Sequence, residues 1–181
     1  MRKQALIIID LQNDYFEGGR WTLHNIDQAA ANARRVLDSA RASGMTVIHV
    51  HHEFQIENPP FFAPGTPGAE IHKDLMPIAG EATVLKHRVN AFLETDLKAR
   101  LDDNGITDIT LVGAMSHMCI DAAARAAADF GYPVTVIEDA CASRDLEFNG
   151  QVVPAEQAHA AYMSALGFAY ATVTTTDAYL G

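Results

Sequence analysis

The sequence predicts an α/β fold built around a parallel sheet. Residues 4–10 and 108–112 are nearly continuous apolar runs, which are typical of strands covered on both faces. Residues 26–43 carry apolar side chains at helical spacing, and Gly44 ends that segment. Strand and helix patterns alternate along the whole chain without an internal repeat. This alternation indicates successive βαβ units, which cross over with a right-handed sense.

The other elements follow from similar local signals. Asn90 is a suitable N-cap for one helix, and Pro154 suits the first turn of another. The segment 53–80 has five prolines and three glycines and little periodicity, so we expect an ordered loop near the active site. The predicted strands are 4–10, 45–51, 82–86, 108–112, 134–138 and 170–174, and the predicted helices are 26–43, 91–103, about 117–130 and one from 154.

Composition limits the classes of protein that the chain can represent. Its 181 residues, of which 49% are hydrophobic, suit a single domain spanning residues 1–181. No apolar run approaches the ~20 residues that cross a bilayer, and the chain enters a strand-like run directly after Met1, Arg2 and Lys3. The net charge of −10 argues against a nucleic-acid-binding surface. We therefore expect a cytoplasmic protein with no membrane or nucleic-acid partner and with both cysteines reduced.

Three reactive side chains follow predicted strands: Asp10, Lys86 and Cys119. The carboxyl ends of parallel strands share one edge of a sheet, so these residues are expected to meet. Cys119 falls in the first turn of a predicted helix, where the helix dipole is expected to lower the pKa of a thiol. A carboxylate can take the thiol proton, and an ammonium can hold both partners. The plainer alternatives are that Asp10 caps a turn and that Cys119 is a small buried hydrophobe.

Three ordered motifs give the chain a resemblance to the isochorismatase-like cysteine hydrolases, which include nicotinamidases, N-carbamoylsarcosine amidohydrolases and ureido-hydrolases. The motifs are Ile8-Ile9-Asp10-Leu11-Gln12-Asn13-Asp14-Tyr15, then Lys86 with Asn90-Ala91-Phe92 and Thr95-Asp96-Leu97, then Gly113-Ala114-Met115-Ser116-His117-Met118-Cys119-Ile120. Asp139-Ala140 fits the same pattern, and the resemblance covers essentially the whole chain.

The resemblance implies a three-layer Rossmann-like fold with a six-stranded parallel sheet in the order 3-2-1-4-5-6. It also implies a catalytic triad of Asp10, Lys86 and Cys119 and a cis peptide between Ala114 and Met115. The backbone N–H groups of Met115 and Cys119 would then form an oxyanion hole. The implied reaction is acyl transfer from an amide or ureide to Cys119, followed by hydrolysis of the thioester.

Substrate, metal and assembly are less constrained. The candidate wall of the substrate pocket consists of Tyr15, Phe16, Trp21, Phe54, Phe92 and Phe148, although core packing is the default role of any one of them. The Asp-x-His metal motif of nicotinamidases is missing at His49-Val50-His51-His52-Glu53-Phe54, so we expect no metal and no cofactor. The resemblance also implies a homo-oligomer, either a dimer or a tetramer, with the loop 142–153 near a neighbouring active site.

The leading hypothesis is a cysteine hydrolase of a C–N bond in a small-molecule amide or ureide. One alternative is an isochorismatase-type vinyl-ether hydrolase, whose chemistry needs no nucleophile, so Cys119 argues against it. Another is a non-catalytic ligand-binding module on the same sheet. No glycine-rich phosphate fingerprint follows the first strand, and the trio of reactive residues would be unexpected in a simple binder.

Overall fold

A six-stranded parallel sheet forms the centre of the computed structural model, which describes residues 2–181. The strands lie in the order β3-β2-β1-β4-β5-β8, which confirms the predicted order. The sixth strand is the eighth along the chain because an antiparallel hairpin of β6 and β7 intervenes. The strands are β1 Gln4–Ile9, β2 Thr46–His52, β3 Ala82–Lys86, β4 Asp108–Ala114, β5 Val134–Ala142, β6 Leu146–Phe148, β7 Gln151–Val153 and β8 Thr172–Thr174.

Helices cover both faces of this sheet. They are α1 Ile26–Ala42, α2 Leu97–Asp103, α3 Asp121–Asp129, α4 Ala155–Ala169 and α5 Thr176–Leu180, with a π-helical turn, Ser116–Ile120, directly before α3. Side chains alternate along β1, so Leu6 and Ile8 pack in the core that contains α1, whereas Ile7 and Ile9 pack in the core that contains α2, α3 and α4. Within residues 2–181, none of the helices has the length and hydrophobicity required to cross a bilayer.

Four details of the predicted elements are wrong. Helix α2 begins at Leu97, because Glu94 has a left-handed backbone (φ 59°) and Asn90 accepts a hydrogen bond from Phe92 N in a turn instead of capping a helix. Strand β5 continues past Glu138 to Ala142, and the β6–β7 hairpin follows within the predicted loop. Helix α5 was not expected. These errors lie where tertiary pairing, rather than a local pattern, decides the structure.

Gly113 allows β4 to pass unusually close to β1. Its φ is 129°, and a Cβ at this position would overlap the backbone carbonyl of Ile9. The pairing of β4 with β5 is irregular between Leu111 and Gly113, after which Gly113 pairs with Cys141. The predicted strand 108–112 stops before Gly113, but this residue lies within β4, where the absence of a side chain allows the ends of β1 and β4 to approach closely.

A buried ion cluster joins α1, β2 and the segment before β3. Glu81 accepts hydrogen bonds from Arg41 Nε (2.7 Å), His49 Nε2 (2.8 Å) and Ile78 N (3.0 Å). Its side chain is only 9% exposed. The hydrogen bond from Arg41 is the main reason that the pKa of Glu81 falls to about 2. The ionised carboxylate therefore stabilises the folded protein directly before β3, the strand that ends at Lys86.

We predict that Glu81→Gln lowers the free energy of unfolding by about 2 kcal/mol at pH 7. Because the folded pKa lies below the ordinary value of 4.5, the contribution is complete above pH 4.5 and is lost as the pH falls towards 2. Urea denaturation from pH 7 to pH 3 should show the gap between the two proteins shrinking. Asp38→Asn, which breaks the exposed pair with Arg34, serves as the control and should change little. A gap that stays constant with pH would contradict the prediction.

Candidate active site

Three strand ends place the predicted reactive residues at one edge of the sheet. Asp10 directly follows β1 in a left-handed conformation (φ 53°), and its N–H donates to the carbonyl of Val50. Lys86 is the last residue of β3, and Cys119 lies in the π-helical turn after β4. Since β1 stands between β2 and β4, the side chain of Lys86 extends across the end of β2 to reach the other two residues.

The ammonium group of Lys86 contacts each of the other residues of the site. Its Nζ lies 2.8 Å from Asp10 Oδ2 and 3.3 Å from Cys119 Sγ. It is also 3.1 Å from His52 Nδ1 and donates to the carbonyl of Arg88 at 3.1 Å. An ammonium has three N–H groups, which are taken up by His52, the Arg88 carbonyl and Cys119, while Asp10 forms an ion pair with it. The predicted residues are thus in direct contact, and His52 joins them.

Burial sets the electrostatics of this cluster. Lys86 and Asp10 are 0% and 1% exposed, and Cys119 is 7% exposed. Burial disfavours the Lys86 ammonium, but the negative Asp10 and the Cys119 sulfur outweigh that effect and raise the pKa of Lys86. The lysine therefore remains a cation. Neither carboxylate oxygen of Asp10 has a well-aligned donor within residues 2–181, which leaves lone pairs available to accept a proton.

The expectation of a lowered thiol pKa at Cys119 is wrong. Burial, followed by the negative charge of Asp10, raises the pKa of Cys119 to about 12, and the opposing effect of Lys86 is smaller. A helix dipole favours the thiolate, but the loss of water around the buried sulfur disfavours it more strongly. Cys119 therefore rests as a neutral thiol beside a carboxylate and an ammonium, and its sulfur can act as a nucleophile only if a base removes the proton.

His52 was predicted only as a histidine at a strand end, but it contacts the site directly. It pairs with Lys86 in the register of β2 and β3, and this adjacency is the signal that could have identified it. Burial and the neighbouring Lys86 lower the pKa of His52 to about 4, so the ring is neutral. Because Nδ1 accepts from Lys86, the ring proton must lie on Nε2, which is buried without a partner in the described chain.

Gln12 fixes the backbone around these residues. Its Nε2 donates to the carbonyls of His52 (2.8 Å) and Ala69 (2.7 Å), and its Oε1 accepts from His52 N (2.8 Å). The side chain is completely buried. Gln12 thus ties the segment after Asp10 to the end of β2 and to the long loop between β2 and β3.

The turn that carries Cys119 begins at Met115. The peptide bond between Ala114 and Met115 is cis, at the position where the family resemblance places it. The Met115 carbonyl accepts from Met118 N (3.0 Å) and Ile120 N (3.2 Å), and these two bonds enclose Cys119 in the turn. The roles of the Met115 and Cys119 N–H groups as an oxyanion hole stay predictions.

The candidate aromatic residues divide into two sets. Tyr15, Trp21 and Phe54 gather around Phe61, with ring centroids 5.6, 4.8 and 5.0 Å away. Phe61, which the sequence analysis did not single out, comes from the long loop between β2 and β3. The other three candidates lie elsewhere: Phe16 stacks on His72, Phe92 packs on Phe130, and Phe148 is 74% exposed on the hairpin.

The histidines at the end of β2 have separate surroundings. His49 contacts Glu81, His52 contacts Lys86, and His51 is half-buried beside Glu53. Within the described residues, no group of three or more His, Cys, Asp or Glu side chains is arranged to hold a metal ion.

The opposite effects of Asp10 and Lys86 on the thiol lead to a prediction. Asp10→Asn should lower the pKa of Cys119, and Lys86→Met should raise it further, because the two charges act in opposite directions. The pH dependence of iodoacetamide labelling at Cys119, followed by peptide mass spectrometry, measures both changes. Cys141, whose pKa burial also raises to about 12, should label equally slowly in all three proteins. A shift in the same direction for both variants would contradict the charge assignment.

Comparisons with known proteins identify the family of the chain. The sequence model of the isochorismatase domain matches residues 4–178. The isochorismatase family protein YddQ of Bacillus subtilis is 45% identical over 97% of this chain and 98% of that protein. A crystal structure from Oleispira antarctica, described as an isochorismatase hydrolase, is 50% identical, with a TM-score of 0.95 over 99% of this chain and 96% of that one. N-carbamoylsarcosine amidase from Thermoplasma acidophilum is 27% identical, with a TM-score of 0.82 and 97% of each chain covered. The chain therefore belongs to the isochorismatase family of hydrolases.

Proposed function

We propose that the protein hydrolyses a C–N bond in a small amide or ureide through a thioester on Cys119, with Asp10 and Lys86 completing a catalytic triad. The observation that carries the proposal is the contact of one buried ammonium with both a carboxylate, at 2.8 Å, and a thiol, at 3.3 Å. A similar fold in an enzyme named as an amidase supports the class of bond.

The first half of the reaction transfers an acyl group to the sulfur. Asp10 accepts the proton of Cys119 while Sγ attacks the carbonyl carbon, so a neutral resting thiol becomes a nucleophile only at that moment. The N–H groups of Met115 and Cys119 stabilise the oxyanion that forms. Asp10 then gives the proton to the departing nitrogen, the C–N bond breaks, and ammonia or an amine leaves behind a thioester.

The second half restores the enzyme. Asp10 takes a proton from a water molecule that attacks the thioester carbonyl, and the proton returns to sulfur when the C–S bond breaks. The products are a carboxylic or carbamic acid and the free thiol. Lys86 keeps its charge throughout, since Asp10 and the sulfur raise its pKa, and it stabilises each negative partner in turn.

Hydrolysis of a vinyl ether, the alternative reaction, requires different catalytic groups. Protonation and hydration of a vinyl ether require an acid but no nucleophile, whereas this site holds a sulfur within 3.3 Å of a fixed cation. The assembly of the protein into dimers or tetramers and its cytoplasmic location remain proposals from the sequence alone.

We predict that Cys119→Ala abolishes turnover, with a loss of about 10⁴-fold or more in kcat/KM. The assay is ammonia release from a panel of small primary amides and ureides. Cys141→Ala is the matched control, because that thiol is also buried but has no catalytic partner, and it should retain activity. Brief acid quenching of the wild-type reaction should reveal an acyl adduct on the peptide containing Cys119.

Two results would contradict the proposal. One is a Cys119→Ala variant that releases ammonia at the wild-type rate. The other is hydrolysis of a vinyl ether that survives in this variant while no amide is cleaved by the wild type.

A further inference from the structure

The candidate active site has an adjoining cavity that contains an unpaired cation. Its volume is about 580 Å³, and it opens beside Met115 and Met118, which belong to the same turn as Cys119. Trp21, Phe61 and Arg144 form one part of the wall. The position next to the proposed nucleophile makes this cavity the natural place for the body of a substrate, an assignment that rests on the proposed function.

Arg144 has a fixed position but no charged partner. Its guanidinium carbon lies 4.0 Å from the centre of the Trp21 ring, in a cation–π contact. Within residues 2–181, no carboxylate forms a salt bridge with it, whereas the arginines at positions 34, 35, 41, 88, 100 and 125 each have one. A half-buried guanidinium that stacks on an aromatic ring keeps its N–H fork free for a planar acceptor.

The charge of Arg144 affects the pKa values of two residues next to the candidate active site. Together with burial, it lowers the pKa of His117 in the turn that carries Cys119. At Tyr15, burial raises the pKa, Cys119 and Asp10 raise it further, and Arg144 acts in the opposite direction. Arg144 therefore lies close enough for its charge to act on Tyr15 and on the turn that carries Cys119.

Trp21 positions the guanidinium of Arg144. Its Nε1 atom is buried and has no acceptor in the described part of the chain. Because this N–H is not exposed to the cavity, the indole ring contributes its face, on which Arg144 stacks. A cation stacked on an indole ring, with methionine and phenylalanine side chains nearby, favours a ligand with an anionic acceptor and a short apolar body.

We propose that Arg144 and Trp21 form a carboxylate subsite, so that the substrates are small amides or ureides that carry a carboxylate. Two acidic side chains, Asp145 and Glu147, line the same cavity. Asp145 is engaged in accepting from Ala155 N at the start of α4, and Glu147 is exposed, where water and salt screen its charge. Arg144 therefore remains the charge that selects an incoming carboxylate.

The test uses binding, so that it does not depend on turnover. The Cys119→Ala protein is titrated with succinamate and 3-ureidopropanoate, and with their neutral counterparts succinamide and 3-ureidopropanamide. Isothermal calorimetry measures affinity, and tryptophan fluorescence reports on the subsite because Trp21 is the single tryptophan of the chain. We expect each carboxylate to bind at least about tenfold more tightly than its neutral counterpart and to change the fluorescence of Trp21.

Variants at Arg144 provide the decisive comparison. Arg144→Gln should remove the preference for carboxylates, and Arg144→Lys should retain part of it, because lysine keeps the charge but loses the planar fork. Arg20→Gln changes the net charge equally at an exposed residue next to Trp21 and should leave the preference intact. Equal binding of charged and neutral compounds, or a preference that survives Arg144→Gln, overturns the proposal, as does a lack of carboxylate binding at millimolar concentrations.

The two proposals can fail separately. If the wild type hydrolyses amides and Arg144→Gln changes neither KM nor substrate preference, the proposed hydrolysis is supported and the proposed carboxylate subsite is rejected. If carboxylates bind through Arg144 but no amide or ureide is cleaved, the proposed subsite is supported and the proposed hydrolysis is rejected.

Discussion

The structure depends on an ion pair that water cannot reach. Lys86 and Asp10 are almost entirely buried, and charges in that position are strongly destabilising unless each finds its partner in good geometry. The pair can form only if β1 and β3, separated by β2, end at the same level of the sheet. Gly113 and Gln12 maintain this arrangement, one by allowing close strand approach and the other by joining backbone segments. The fold thus holds two charges where isolated charges would not persist.

The approach of the third residue follows from the same arrangement. Cys119 lies within reach of Lys86 because β4 neighbours β1 and the π-helical turn starts directly beyond it. The positive charge of Lys86 favours a thiolate at this sulfur, and the negative charge of Asp10 disfavours it. Both charges lie close to the sulfur, which is buried from solvent. Burial and the charge of Asp10 outweigh the effect of Lys86 and leave the proton on sulfur, and in the proposed mechanism Asp10 removes it.

Much of this could be predicted from the sequence, because parallel strands have a strong local signature and their ends share an edge. The bounds of β3 agree with the prediction, and Asp10, Lys86 and Cys119 come together as expected. The start of α2, the β6–β7 hairpin and the acidity of Cys119 could not be obtained in the same way. Each depends on packing between distant segments: the backbone at Glu94, the pairing of Leu146 with Val153, and the depth at which the sulfur is buried.

The aromatic candidates show the same limit. No sequence pattern separates Tyr15, Trp21 and Phe54 from the other aromatic candidates, yet of these candidates only those three surround Phe61. Which ring reaches the cavity depends on the path of a loop rich in proline and glycine, and local rules give no path for such a segment.

The protonated state of Cys119 also bears on how the protein withstands oxidants. Peroxide reacts with a thiolate to give sulfenic acid and then the irreversible higher acids, but it reacts slowly with a thiol. Burial raises the pKa of both cysteines of the chain to about 12, so neither offers a standing thiolate to hydrogen peroxide. Under the proposed mechanism the sulfur ionises only when a substrate carbonyl is in place, so the resting protein holds its nucleophile as the thiol, the form that peroxide oxidises slowly.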